Sequence, residues 1–267
     1  MLHKETLWPL KNVFRCQINE DHIRFILDNS NMHVQVMQKI MDLCIDNPYH
    51  NYGHTLGVMR TILEICKAQS VDRKKTTQLL FAGGLHDAFH PGVATGTDEL
   101  VSVFAMYEHI TDRDLSLCGL SSADRPFIRD MIMATVFSKR GKADDPIAFI
   151  IQDADIGYLG KDPYIYLFAS MGLLDEFSSV AFTEPDPVRF IRIEQKPFID
   201  MVINMSPMKN TFFLSEGAQK ILIDPRKVLD QLLQWPDRIY WLAYDLRQAD
   251  ISIDQFITLI DRQVQLS

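Results

Sequence analysis

Apolar residues along this chain recur at steps of three and four, the spacing of one helix face, and almost nowhere at steps of two. Val34, Val36, Met37, Ile40, Met41 and Cys44 form such a face, with Ser30 placed to cap it. After a polar break at Asp46-Asn47-Pro48, Leu56, Met59, Leu63 and Cys66 continue the pattern. Asp72 opens a segment running to about Phe89. Ser121-Ser122-Ala123-Asp124 has the form of a capping box before a stretch ending near Ser138. Four Asp-Pro pairs, at 145–146, 162–163, 186–187 and 224–225, each precede an apolar-periodic run, with aspartate suited to the N-cap and proline to the first helical position. Ser252 is placed to cap the last helix. Alternating strand pairs, Asn-Gly hairpins, internal repeats and Ser/Gly-rich linkers are missing. The pattern predicts an all-α fold of about ten helices, in a single domain spanning 1–267.

Composition narrows the function. With 47% hydrophobic and 23% charged residues, the chain has the ordinary make-up of a folded globule. The net charge is −8, from 27 basic and 35 acidic residues. That balance opposes binding to a nucleic-acid polymer or an anionic membrane, both of which need a basic face. It leaves room for a small anionic substrate wherever a metal ion supplies local positive charge. The apolar stretch near Ile147 is broken by Gln152, Asp153 and Asp155, so no membrane span is expected. The opening MLHKETLWPLKN lacks the features of a secretory leader, and a soluble, cytoplasmic protein is expected. Cys16, Cys44, Cys66 and Cys118 are far apart and form no CxxC; they read as buried thiols rather than disulfides or a thiolate zinc site.

Histidines carry the candidate chemistry. Four of the eight lie in two short motifs, His50 with His54 and His86 with His90, each pair at i and i+4 and the second with Asp87 beside it. His3 and His22 read as surface residues, and His33 and His109 have no motif around them. Downstream, Asp153 and Asp155 interrupt an apolar helix, and buried carboxylates are costly unless paired or bound to metal. Two residues apart on a helix, these two point about 200° apart, so only one can face a given site. Two imidazole pairs, an adjacent Asp and a downstream Asp make an H…HD…D set, whose neutral nitrogens and carboxylate oxygens suit Zn²⁺ or a harder divalent cation.

The H…HD…D order resembles the HD-domain metal-dependent phosphohydrolases, and within them the 3′,5′-cyclic nucleotide phosphodiesterase catalytic domain. YHNYGHTLGV at Tyr49–Val58 resembles that family's YHNxxHAxDV, and HDAFHPGV at His86–Val93 its HDxxHPG. Met133–Lys139 echoes ATDMSKH, Ala154–Gly157 matches ADxS, and Glu194–Asp200 resembles SQxGFID. The likeness runs in order from about Tyr49 to Asp200. It implies an all-helical fold and two divalent metal ions. The first, Zn²⁺ or otherwise Fe or Mn, would be held by His54, His86, Asp87 and Asp155, the ADxS match favouring Asp155 over Asp153. The second, Mg²⁺ or Mn²⁺, would be bridged by Asp87. It further implies hydrolysis by a metal-activated hydroxide, with His50 as general acid to the departing ribose O3′ and His90 orienting the water or His50. Tyr49, Gln195 and Phe198 would bind the substrate, Gln195 at the purine edge and Phe198 on its face. The implied partner is a small nucleotide.

Departures from the family pattern concern the substrate side. Val136 stands in place of an aspartate, Arg140 of a histidine and Thr95 of an asparagine. Ser102-Val103-Phe104-Ala105 is the nearest match to a stretch that carries a glutamate in the family. Pro197 replaces a glycine and predicts a kink. Two other functions therefore compete with cyclic-nucleotide hydrolysis: an HD-type nucleotidase or phosphomonoesterase using the same metals, and a catalytically weakened nucleotide-binding or interaction protein.

Overall fold

A computed structural model describes residues 17–92, 97–249, 251 and 253–266. Those residues form helices and no strand. In the first half, α1 (Gln17–Asn29), α2 (Val34–Asp42), α3 (Tyr52–Ala68), α4 (Arg73–Leu85), α5 (Asp98–His109), α6 (Asp112–Leu117), α7 (Arg125–Ala134) and α8 (Ala148–Asp155) follow one another. The second half holds α9 (Pro163–Ala181), α10 (Pro187–Arg189), α11 (Gln195–Met205), α12 (Glu216–Ile221), α13 (Pro225–Leu232), α14 (Asp237–Gln248) and α15 (Ile253–Gln265). The excess over ten includes α6, α10 and α12, each six residues or fewer and too short to show a period. No helix among the described residues is long and apolar enough to cross a membrane.

The axis of the fold is α3. It packs against α1, α4, α8 and α12, and Leu56, Val58, Met59, Ile62, Leu63, Ile65 and Cys66 are all buried on it. Each such side chain contributes about 1.5–3 kcal/mol by leaving water. Against it lies α4, buried from Thr76 to Leu85. A Cβ added to Gly83 would sit 2.3 Å from Ile62 Cδ1 of α3, and one at Gly84 3.0 Å from Ile40 Cγ2 of α2. The glycine pair thus sets how closely α4 approaches its neighbours. Buried residues from Ile23 to Ile260 join in one apolar cluster.

Start signals are mostly where the sequence puts them. Asp72, Asp162, Asp186 and Asp224 cap their helices through side-chain oxygens, and Ser121 forms its capping box with Asp124. Two signals are corrected. The Ser30 hydroxyl donates to Ile26 O (2.6 Å) and accepts from Met32 N (3.1 Å), so it closes α1, and His33 Nδ1 caps α2 by accepting from Gln35 N. Asp145 makes the turn before α8, its side chain accepting from Ile147 N (3.0 Å), and the helix proper starts at Ala148. Just before Pro197, a π-helical turn, Phe190–Glu194, runs directly into α11. Proline has no N–H for the carbonyl four residues back, and a widened turn is one way to absorb that loss.

His22 is not a surface residue. It lies one helical turn from buried Ile26 on the face of α1 that meets α3, and its Nδ1 is buried without a hydrogen bond. Burial pulls its pKa down to about 4. Cys66 and Cys118 are buried and Cys44 half-buried, all as thiols. His3, Cys16, Thr95 and Ser252 lie outside the described residues.

Candidate metal centre

Three chain segments converge at the ends of α3, α4 and α8. Asn51 is the N-cap of α3: its Oδ1 accepts from Gly53 N (2.8 Å) and His54 N (3.2 Å) while its amide donates to Asn47 O (2.8 Å). This cap places His54 in the first helical turn and leaves Tyr49 and His50 in the loop before it. Its partner α4 stops at Leu85, with His86 at the C-cap. The chain then turns, and Phe89 takes a left-handed backbone (φ 58°) while its N–H donates to Leu43 O at 2.9 Å. His86 and His90 therefore do not share a helix face, contrary to their i, i+4 spacing. Pro91 follows, and the residue before a proline avoids helical backbone. The turn sends His86 to one set of partners and His90 to another.

His54 and His86 meet Asp87 and Asp155. The two Nε2 atoms are 3.4 Å apart. His86 Nε2 is 2.9 Å from Asp87 Oδ2 and 3.1 Å from Asp155 Oδ1, and His54 Nε2 is 3.2 and 3.4 Å from the same oxygens. One ligand atom from each residue falls within 4.8 Å of all the others. His86 Nδ1 donates to Gly83 O (2.8 Å), so the neutral ring would aim its Nε2 lone pair at the centre. Asp87 Oδ2 is buried and makes no hydrogen bond of proper geometry there. Lone pairs facing lone pairs require positive charge between them. Burial disfavours charge on His86, yet Asp87 and Asp155 outweigh it and hold its pKa well above the usual histidine range. Burial also pushes the Asp87 and Asp155 carboxyls up, and the imidazoles, His86 foremost, hold both below their usual range. Two imidazole nitrogens and two carboxylate oxygens fit Zn²⁺ or a similar divalent cation.

A second group adjoins this one. His50, Asp87 and His90 also bring ligand atoms within 4.8 Å of one another, and the His50 and His90 rings stack with centroids 4.0 Å apart. Sequence reading missed the residue that holds His50. Glu176 of α9 is 2% exposed; its Oε2 accepts from Tyr49 N (2.9 Å) and His50 N (3.0 Å), and its Oε1 lies 2.5 Å from His50 Nδ1. Burial raises the Glu176 carboxyl, but His50 outweighs it and lowers its pKa. The available signal was an acid on the buried side of α9, near Leu174; its partner lies 126 residues away.

Asp155 faces the centre and Asp153 faces away. Asp153 is fully buried and accepts from Arg140 Nη2 (2.8 Å), Leu214 N (2.8 Å), Ser215 N (2.6 Å) and Ser215 Oγ (2.8 Å). Arg140, which stands where the family pattern has histidine, is thus the countercharge of a structural carboxylate. Gln195 is also buried, and its Oε1 accepts from Tyr166 OH (2.7 Å). Phe198 stacks on Phe137, with ring centroids 5.8 Å apart. The gap between Phe137 and Asp155 holds only about 10 Å³. A cavity of about 650 Å³ opens elsewhere, bordered by Tyr49, His54, Asp155 and Tyr158, and neither Gln195 nor Phe198 lines it.

The fold is that of phosphodiesterase domains. The phosphodiesterase domain of the Salpingoeca rosetta rhodopsin phosphodiesterase superposes with a TM-score of 0.53 at 14% identity, over 81% of this chain and 88% of that one. A second structure, of the phosphodiesterase domain of the RhoPDE fusion protein from the same choanoflagellate, gives 0.52 at 15% identity, over 87% of this chain and 94% of that one. No protein-family model matches this chain, and no curated protein matches it in sequence.

Proposed function

We propose that the chain is a metal-dependent phosphohydrolase that converts a 3′,5′-cyclic purine nucleotide to the 5′-nucleotide. The observation that carries the reading is the convergence of His54, His86, Asp87 and Asp155 within 4.8 Å, with His86 Nε2 aimed at the centre. The likeness in fold to phosphodiesterase domains supports it.

His54, His86, Asp87 and Asp155 would hold the first ion, Zn²⁺ or otherwise Fe or Mn; Asp87, shared with the His50 and His90 group, would also serve a second, Mg²⁺ or Mn²⁺. When bound, such ions supply Lewis-acid charge at a phosphoryl oxygen and lower the pKa of water. The remaining work falls to the chain. With His50 Nδ1 held by Glu176, the Nε2 edge delivers a proton to the departing O3′. Stacking on His90 fixes the plane of that ring, as supporting partners do in metal sites generally. The Tyr49 ring, 4.7 Å from that of His54, walls the substrate entrance.

One observation favours a broader phosphoesterase: the Gln195 amide oxygen is already engaged by Tyr166. A single panel separates the two readings. Metal-stripped protein is assayed on cyclic AMP, cyclic GMP, 5′-AMP and p-nitrophenyl phosphate after adding Zn²⁺, Mg²⁺ or Mn²⁺. Metal-restored hydrolysis of the cyclic nucleotides above the monoesters is expected. Monoester preference selects the broader enzyme, and inertness toward all four refutes both.

A further inference from the structure

The 650 Å³ cavity has the size of a small-molecule site and reaches the candidate metal centre. His54 and Asp155 form its rim, and it follows one side of α3 through Gly57, Val58, Thr61 and Glu64. Ten residues separate His54 from Glu64, so the cavity follows α3 for about 15 Å at 1.5 Å per residue. Near the rim the walls are aromatic, with Tyr49 and Tyr158 5.6 Å apart. Phe168 adds a further ring to the lining.

At the Glu64 end the lining is polar and net cationic. Arg60 Nε (2.9 Å) and Lys161 Nζ (3.0 Å) share the single carboxylate of Glu64. His22 lies beside them with a buried Nδ1 that has no partner, and burial with Arg60 nearby keeps its ring neutral near pH 7. A neutral imidazole and two cations sharing one anion suit a ligand edge rich in hydrogen-bond acceptors. Gly57 leaves the middle open, since a Cβ added there meets no atom within 4 Å. By contrast, the Gln195 side-chain oxygen accepts from Tyr166, and Phe198 stacks on Phe137, which borders a gap of only about 10 Å³.

We propose that this cavity between α1, α3 and α9 receives the ribose and base of the nucleotide, the phosphate at the His54–Asp155 rim and the base edge toward Arg60, Lys161 and His22. This rests on the phosphohydrolase reading only for what happens to the phosphate; where the nucleoside sits follows from the cavity. The rings at the rim offer stacking faces to a heterocycle, and the far end offers donors to its edge.

The test is equilibrium binding of 5′-AMP, 5′-GMP and inorganic phosphate to the full chain by isothermal titration. Wild type is compared with Gly57→Ala, Gly57→Leu, Lys161→Gln and Phe198→Ala. Gly57→Leu is expected to weaken both mononucleotides about tenfold or more, Gly57→Ala less, and neither to alter phosphate binding. Lys161→Gln should weaken the mononucleotides alone, and it keeps the test valid if Gly57→Leu melts early. Phe198→Ala should leave all three probes within about twofold. Loss of mononucleotide binding in Phe198→Ala with none in Gly57→Leu or Lys161→Gln overturns the proposal, as does a wild-type chain that binds neither mononucleotide. Mononucleotide binding sensitive to Gly57→Leu in a chain inert toward every phosphoester would sustain the cavity assignment and remove the enzymatic one.

Discussion

Asp153 and Asp155 sit two residues apart on α8 and should fail in opposite ways when each is changed to asparagine. Asp153 has 0% exposure, Arg140 has 3%, and their side chains are 2.8 Å apart. Neutralising Asp153 leaves a buried guanidinium without its countercharge, a loss of about 3–5 kcal/mol. The two backbone donors of Leu214 and Ser215 would also face a weaker acceptor. Against an ordinary total of about 5–15 kcal/mol, that is a large fraction of the stability. Asp155 is 26% exposed, and losing its hydrogen bond to His86 costs about 1–2 kcal/mol in chelator. Its metal occupancy, however, should collapse. The assay pairs urea unfolding in chelator with metal content by mass spectrometry after dialysis against Zn²⁺. Asp153→Asn is expected to shift the midpoint strongly while keeping the metal whenever folded, and Asp155→Asn to do the reverse. A larger midpoint loss in Asp155→Asn, or metal loss in a well-folded Asp153→Asn, would refute the division of labour.

Further outcomes follow from the same geometry. Glu176→Gln should lower turnover about 10- to 100-fold with metal content intact, since it removes only the partner that orients His50; equal loss of metal would show Glu176 to shape the ligand set itself. His22 has a folded pKa of about 4 against an ordinary 6.5. The unfolded chain therefore takes up this proton first as pH falls, so the contribution is complete above about 6.5 and lost progressively toward 4. His22→Asn should flatten the urea-midpoint profile in that window, and an unchanged profile would contradict the buried neutral ring. Gly217→Ala should destabilise by roughly 1–3 kcal/mol, because the new Cβ would lie 2.6 Å from the Ile65 carbonyl of α3, where backbone cannot give way. A melting temperature equal to wild type would mean that α12 packs less closely than it does here.

The all-helical class was legible because period and caps are local. Val36, Met37, Ile40 and Met41 are buried at the spacing the pattern requires. Asp-Pro and Ser-x-x-Asp signals act within a single turn, and most cap where they stand. That His54, His86, Asp87 and Asp155 belong together as candidate donors was legible for a related reason: they sit in short motifs on or at the ends of helices, and a helix end holds its residues in fixed directions. What failed was continuity across a boundary. Spacing alone put His86 and His90 on one face, but Leu43 O captures the Phe89 N–H and the chain turns between them.

The sequence by itself determined the helical period, the caps and the donor types available for a cation. Only the tertiary structure decided that Asp153 answers to Arg140, that Glu176 holds His50, and that Gln195 spends its oxygen on Tyr166. It also decided that His22, His54 and Tyr158 line one cavity. Those pairings join residues from 13 to 136 positions apart, brought together by burial of the apolar face of each helix. Local patterns cannot carry them, because the energy that selects each partner is the cost of leaving a buried charge or polar atom without one.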